Sequence, residues 1–251
     1  MNNKRISYIT YLNVYASFAV VMLHNNGIVW QHPTGRTWYS AICIETFFYC
    51  AVPLFFMITG CTLIDYSKKY STKEFFKKRI KKTIIPFVAW SLIGMLYFCY
   101  VYQTWDYFNK PVSEIVSNIL NTNYIGIYWF FIPLFSVYMC IPILDKITDK
   151  MNVFKYMIGL GFIFLGILPF LCNLIHINYN HELVPKMVSG YVLYSILGYY
   201  LSHKELSEKQ RKLIYLLGIV GFFSNFIGTA MLTDVENGIN AAVIAYKKGA
   251  D

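Results

Sequence analysis

The chain has 251 residues, of which 57% are hydrophobic, 19% aromatic and only 14% charged. Soluble domains carry about 25% charged residues, and here the apolar residues come in long blocks, so an ordinary soluble domain is excluded. A net charge of +9 would suit nucleic acid in a soluble protein, but Lys and Arg gather in particular connections, as membrane topology requires, and no nucleic-acid partner is expected.

The basic N-terminus, Met1 to Arg5, leads into an apolar block with no small-residue cleavage site, so that block reads as a retained first span and not a signal peptide. A helical span needs about 20 mostly apolar residues. Such blocks run from Ile6 to Val29, Trp38 to Ile64, Thr83 to Gln103, Ile125 to Leu144, Phe154 to Ile175, Met187 to Leu201 and Leu213 to Leu232. The sixth is short and is expected to lie tilted or shielded by neighbours. The prediction is an all-α polytopic bundle of about seven spans, a transmembrane domain over 1–232 and a short polar tail over 233–251.

Orientation follows from the cations. With the N-terminus in the cytoplasm, the outer segments hold only Arg36, Lys110, Lys186, Lys247 and Lys248 of the 22 Lys and Arg. The rest, led by the run from Lys68 to Lys82, lie inside, as the positive-inside rule requires. The chain is therefore predicted to be a multi-pass protein of the cytoplasmic membrane, with the lipid bilayer as its first partner. Trp30, Trp38 and Trp105 fall at outer span ends, at headgroup level. The six cysteines all lie inside apolar blocks and read as small buried hydrophobes, with no disulfide framework and no zinc spacing.

Ionisable residues at membrane depth are costly and mark candidate sites. His24, near the outer end of span one, is a candidate general acid or base. Glu45 lies at a similar depth, about 10 Å from the outer end of span two, so a contact that raises the histidine pKa and fixes its tautomer is geometrically open. The segment KEFFKKRIKKTIIP enters span three from inside. Its cations suit anionic lipid or a phosphorylated donor such as a CoA thioester, onto whose phosphates Arg79 forks, with Lys78 and Lys82 beside it. Pro86 suits the first turn of a helix. Asn13 on span one and the run YWFFIPLFSVYMCIPIL in span four also lie at membrane depth, though aromatic runs of this kind by themselves read as lipid-facing or core, and Gly60 with Thr59 permits close helix approach.

These runs, in order, resemble a known family. TYLNVYASFAVVMLH resembles the first-helix pattern ending in His of the acyltransferase 3 membrane acyltransferases, which include O-acetyltransferases of bacterial surface polysaccharides. AVPLFFMITG, FFKKRIKKTIIPF, YWFFIPLFSVYMCIPIL and VLYSILGYYL resemble that family's later segments, so the likeness runs from Tyr11 to about Leu201. It implies transfer of an acyl group, acetyl above all, from an acyl-CoA co-substrate to a hydroxyl of a glycan or lipid-linked saccharide acceptor, with no tightly bound cofactor and no metal. Carried over by position, His24 matches the first-helix histidine and is expected to be catalytic, Arg79 matches the conserved arginine, and Trp129 and Tyr138 match the fourth-helix aromatics, expected with Asn13 to line the substrate pocket. Glu45 is expected to orient His24. Asn13 stands where the family places a basic residue, and the chain ends after fewer spans than the family's usual number, which implies a C-terminally truncated copy. The alternative is a non-catalytic sensor or binding protein that kept the fold. A glycolipid transporter ranks lower, because no matched pair of broken helices is visible.

Overall fold

The computed structural model describes residues 3–31, 35–105, 110–175 and 177–232. The tail predicted over 233–251 lies outside the described residues, and so do Lys247 and Lys248. Eleven α-helices occur among the described residues, and no strand does. They are α1 (Asn3–Asn25), α2 (Gly35–Phe48), α3 (Ala51–Leu63), α4 (Thr72–Arg79), α5 (Ile85–Tyr102), α6 (Val112–Leu120), α7 (Phe131–Asp145), α8 (Met151–Phe162), α9 (Leu168–Leu174), α10 (Val192–His203) and α11 (Glu208–Leu232). Five segments are long and apolar enough to cross a bilayer: Gly35–Lys68, Thr72–Tyr102, Gly126–Asp145, Met151–Cys172 and Glu208–Met231. The 23 residues of α1 make about 35 Å of helix, which also matches the hydrocarbon thickness.

Three prolines interrupt these spans, whereas Pro142 lies within the continuous helix α7. Pro53 has no N–H to give the carbonyl of Tyr49, and the second span is divided there into α2 and α3. Pro86 and Pro169 each follow a short π-helical segment, Ile80–Ile84 and Ile163–Ile167. A proline cannot bond the carbonyl four residues back, so the turn before it widens. Ser71 caps α4 by accepting from the Glu74 N–H, a Ser-x-x-Glu start. Lys77, Lys78 and Arg79 close the same helix against its negative end.

Side-chain pairings fix the helix directions. Tyr8 meets Cys61 and Phe18 meets Phe48, so α1 runs antiparallel to α2 and α3. Gly94 receives Ile125 and Phe87 receives Phe131, so α5 and the entry to α7 are antiparallel. Phe154 against Tyr199 and Gly161 against Leu193 set α8 antiparallel to α10. Phe47 packs on Phe222, and Trp38 clusters with Phe226, so α11 is antiparallel to α2. In contrast, α3 and α10 run parallel: Phe56 stacks on Tyr191 near their starts and Asp65 faces His203 at their ends. Phe56–Phe130 and Ser67–Asp145 contacts make α7 parallel to α3 in the same way. Up-down alternation of seven segments satisfies every one of these pairings, and it gathers Lys68, Lys77 to Lys82, Lys146 and Lys204 at one end of the bundle.

The principal core lies between α3, α4, α7, α8 and α10, where Phe56, Phe75, Ile141, Phe154, Ile196 and Tyr199 are buried. The sixth span is the departure from a simple bundle. Its helix α10 has 12 residues, about 18 Å, too short to cross alone. It survives because it is enclosed: it packs most extensively on α3 and then on α8. At its contact with α3 the backbones touch. A Cβ on Gly60 would sit 2.7 Å from Ser195 Cα, and one on Gly198 would sit 2.5 Å from Met57 Cα. The expected close approach at Gly60 is thus present, and its partner surface is α10. The connection after α5 contains a further helix, α6.

Candidate active site

At one end of the bundle, α1 stops at Asn25 and the chain turns inward at Asn26. The Asn26 side chain is buried, and its amide donates to the Ala41 carbonyl at 2.9 Å and to Glu45 Oε2 at 3.2 Å. The pairing of spans one and two through Glu45 is therefore made by Asn26. His24 is exposed and makes no hydrogen bond or ion pair among the described residues. About half a helical turn separates the two outcomes: residues 24 and 26 differ by about 200° around a helix, so only one of them can face α2. Asn13 is half-buried on the same face of α1 as His24, three turns below it, and its amide donates to the Ile9 carbonyl of its own helix at 3.1 Å.

At the other end, Arg79 closes α4 with its guanidinium carbon 5.8 Å from the Phe75 ring centre and 5.6 Å from that of Tyr138. Both distances fall within cation–π range. Its Nε is buried and has no hydrogen-bond partner among the described residues, although a guanidinium carries five donors in a rigid fork. Tyr138 is 7% exposed. The floor beneath this arginine is pinned. Asp145, at the end of α7, accepts from the Ser67 N–H at 3.1 Å, and the Tyr66 hydroxyl meets Thr72 Oγ1 at 2.7 Å.

The other predicted residues distribute as follows. Lys78 is engaged, with Nζ 2.8 Å from Glu74 and 3.9 Å above the Tyr70 ring centre. Lys82 is exposed on the π-helical segment. Trp129 stands at the far end of the fourth span, its ring 6.1 Å from that of Tyr191. The structure therefore joins Tyr138 to Arg79 but does not assemble Asn13, Trp129 and Tyr138 into one pocket. A groove of about 230 Å³ between α1, α3 and α10 is lined by Tyr8, Leu12, Met57, Cys61, Leu201 and Ser202 among others, and none of the predicted site residues lines it. Of the cysteines, Cys61 and Cys99 are buried as expected, whereas Cys43 and Cys50 are exposed on the second span.

Three contributors escape a reading by sequence alone. Asn26 carried only the signal of a polar residue after a span. Phe75 carried a better one, since it lies four residues before Arg79 and shares its helix face. Asp145 carried the signal of a lone carboxylate closing an apolar block.

Residues 6–246 match the acyltransferase domain of the acyltransferase 3 family. The chain belongs to that family. No curated protein and no solved structure gives a significant match. The seven alternating segments and the family together make it a multi-pass membrane acyltransferase.

Proposed function

We propose that this family member moves an acetyl group from a cytoplasmic acetyl-CoA to a hydroxyl of a cell-surface glycan or lipid-linked saccharide. The observation that carries the reading is Arg79. It is fixed between two rings with an unspent buried donor, at the end of the bundle where the cations gather. A flexible polyphosphate is the natural complement of such a fork. Lys82, exposed one turn away, adds charge, and Lys78 does so only by leaving Glu74. By the positive-inside rule this end faces the cytoplasm, where CoA thioesters are made.

His24 is the proposed general base. Its imidazole takes the acceptor hydroxyl's proton as that oxygen attacks the thioester carbonyl. The tetrahedral adduct then expels the CoA thiolate, which recovers the proton from the imidazolium. An exposed imidazole with no protein partner is available for this. Glu45 acts one step removed: by holding Asn26 it fixes the end of α1, and so positions His24. Trp129 serves as an aromatic wall near one end of the fourth span, and Tyr138 as one in its opposite half, beneath Arg79.

One observation favours a non-catalytic relative. The Asn13 amide is spent on its own helix, so no cation lies three turns below His24. Transfer of labelled acetyl from acetyl-CoA into membrane glycan, in wild type and in His24→Ala at equal protein level, separates the two. Label that disappears in the variant supports catalysis. A wild type that transfers none, yet binds acetyl-CoA, supports the second reading.

A further inference from the structure

The helix α6 lies in a connection that topology alone would leave in water. Its nine residues, Val112 to Leu120, carry the strongest amphipathic pattern among the described helices. Ile115 and Ile119 turn inward and pack with Met95 and Cys99 of α5. Val112, Val116 and Leu120, spaced four apart, form a second apolar strip beside them that is exposed. Ser113, Ser117 and Asn121 occupy the opposite side. An apolar arc so broad, half covered by protein and half bare, on a helix tied between two membrane spans, requires an apolar medium.

The depth of the segment can be read from α5. The chain leaving α6 brings Tyr124 and Ile125 against Gly94, so closely that a Cβ on Gly94 would meet the Ile125 side chain at 2.6 Å. Gly94 lies eight residues before the end of α5 at Tyr102, about 12 Å down the helix. The C-terminal end of α6 is only four residues from Tyr124. That end therefore sits below the mouth of the span, within reach of acyl chains. At the other end Lys110 pairs with Glu114, a charged pair suited to the headgroup level. Trp105, three residues past the end of α5, is also exposed, and tryptophans concentrate at the interface.

We propose that α6 is an in-plane interfacial helix, docked obliquely in the leaflet opposite the basic 68–82 connection, with Val116 and Leu120 in lipid acyl chains and Lys110 and Glu114 at the headgroups. Its partner is the bilayer itself, recognised by apolar area and not by charge, since Lys110 is its one cation and is already paired.

The test places a nitroxide-bearing amino acid at Val112, Val116, Ser117 and Leu120, one at a time, in the full chain reconstituted into phospholipid vesicles. Spin relaxation by oxygen, which concentrates in acyl chains, is compared with relaxation by a water-soluble nickel chelate. Val116 should favour oxygen and Ser117 nickel, with Leu120 more oxygen-accessible than Val112. Preference for nickel at Val116 puts the face in water and overturns the proposal. Poor access of both reagents at Val116 means that protein covers the face, and overturns it equally. Elution of each labelled protein as a single detergent-solubilised species shows that it is folded.

Discussion

The parallel contact of α3 with α10 is the most exacting packing in the molecule, and Gly60→Ala tests it. Two effects oppose each other. Alanine is the better helix former by about 0.8–1.0 kcal/mol. Against that, its Cβ would lie 2.7 Å from Ser195 Cα and closer still to the Ser195 carbonyl, whereas unstrained carbon contacts need about 3.5–4.0 Å. The obstacle is backbone, which has no rotamer to escape into, so α10 must retreat by roughly 1 Å along its whole contact with α3. Overpacking of this kind costs about 1–3 kcal/mol, and a backbone clash belongs at the upper end. The net loss is about 1–2 kcal/mol, which for a chain of this size lowers the unfolding midpoint by roughly 2–8 °C. Gly198→Ala, facing Met57 across the same crossing, should behave alike. Gly221→Ala on α11 is the control, because a Cβ there meets nothing within 4 Å, so only the propensity gain acts and the midpoint should hold or rise. Tryptophan fluorescence during heating in detergent reads all three. If Gly60→Ala melts at or above wild type while Gly221→Ala also does, the two helices are not in backbone contact and the reasoning fails.

Other consequences follow from the two ends of the bundle. Arg79→Lys keeps the charge but loses the fork, so the KM for acetyl-CoA should rise roughly ten- to hundredfold, the loss of one or two charge-assisted bonds, with kcat for the acceptor less affected; an unchanged KM removes Arg79 from the donor site. Asn26→Ala strands the Glu45 carboxylate and the Ala41 carbonyl and should cost about 1–3 kcal/mol, read as a lower melting midpoint that Glu45→Gln, which still accepts from Asn26, largely avoids. Pro86→Ala removes the cause of the widened turn at Ile80–Ile84; an ordinary α-turn there swings α4 by about 100° relative to α5, so Arg79 should leave Tyr138 and Phe75 should leave the core, and donor affinity and melting midpoint should fall together.

Much of the architecture is legible in the sequence because each span is a local object. An apolar block of about 20 residues commits itself to the bilayer without knowing its neighbours, and the cations between blocks then fix direction. Pro86 and Gly60 were legible for the same reason, since their effect on a helix or its surface is built into the residue. What was not legible depends on geometry finer than a turn or on partners far along the chain. Whether His24 or Asn26 faces Glu45 turns on where α1 ends, to within two residues. That Arg79 rests on Tyr138 requires knowing that α4 folds beneath α7, which no spacing reveals. The helix α6 stayed hidden because nine residues fall well short of a span and because its apolar positions, read singly, look like an ordinary loop.

The placement of Arg79 and His24 at opposite ends of the bundle constrains the proposed chemistry more than either residue does alone. The end of α1 packs at Glu45, so the helical length from Glu45 to the end of α3 at Leu63 separates them by roughly 30 Å. Nucleotide phosphates cannot follow the reaction inward, because an ionised group in hydrocarbon costs several kcal/mol even when partly compensated. On the proposed reading they stay where the guanidinium holds them while the neutral thioester arm enters between helices, and because that arm is shorter than the separation, the acyl group must be carried the remaining depth before it reaches His24. The α3–α10 contact is closed to it, since those backbones already touch, so on the proposed reading the path lies on another side of α3. Binding energy collected at Arg79 then serves to hold the donor while its far end reacts. That is why its loss should appear in KM before kcat, and why a substitution at His24, which touches only the reacting end, should do the reverse.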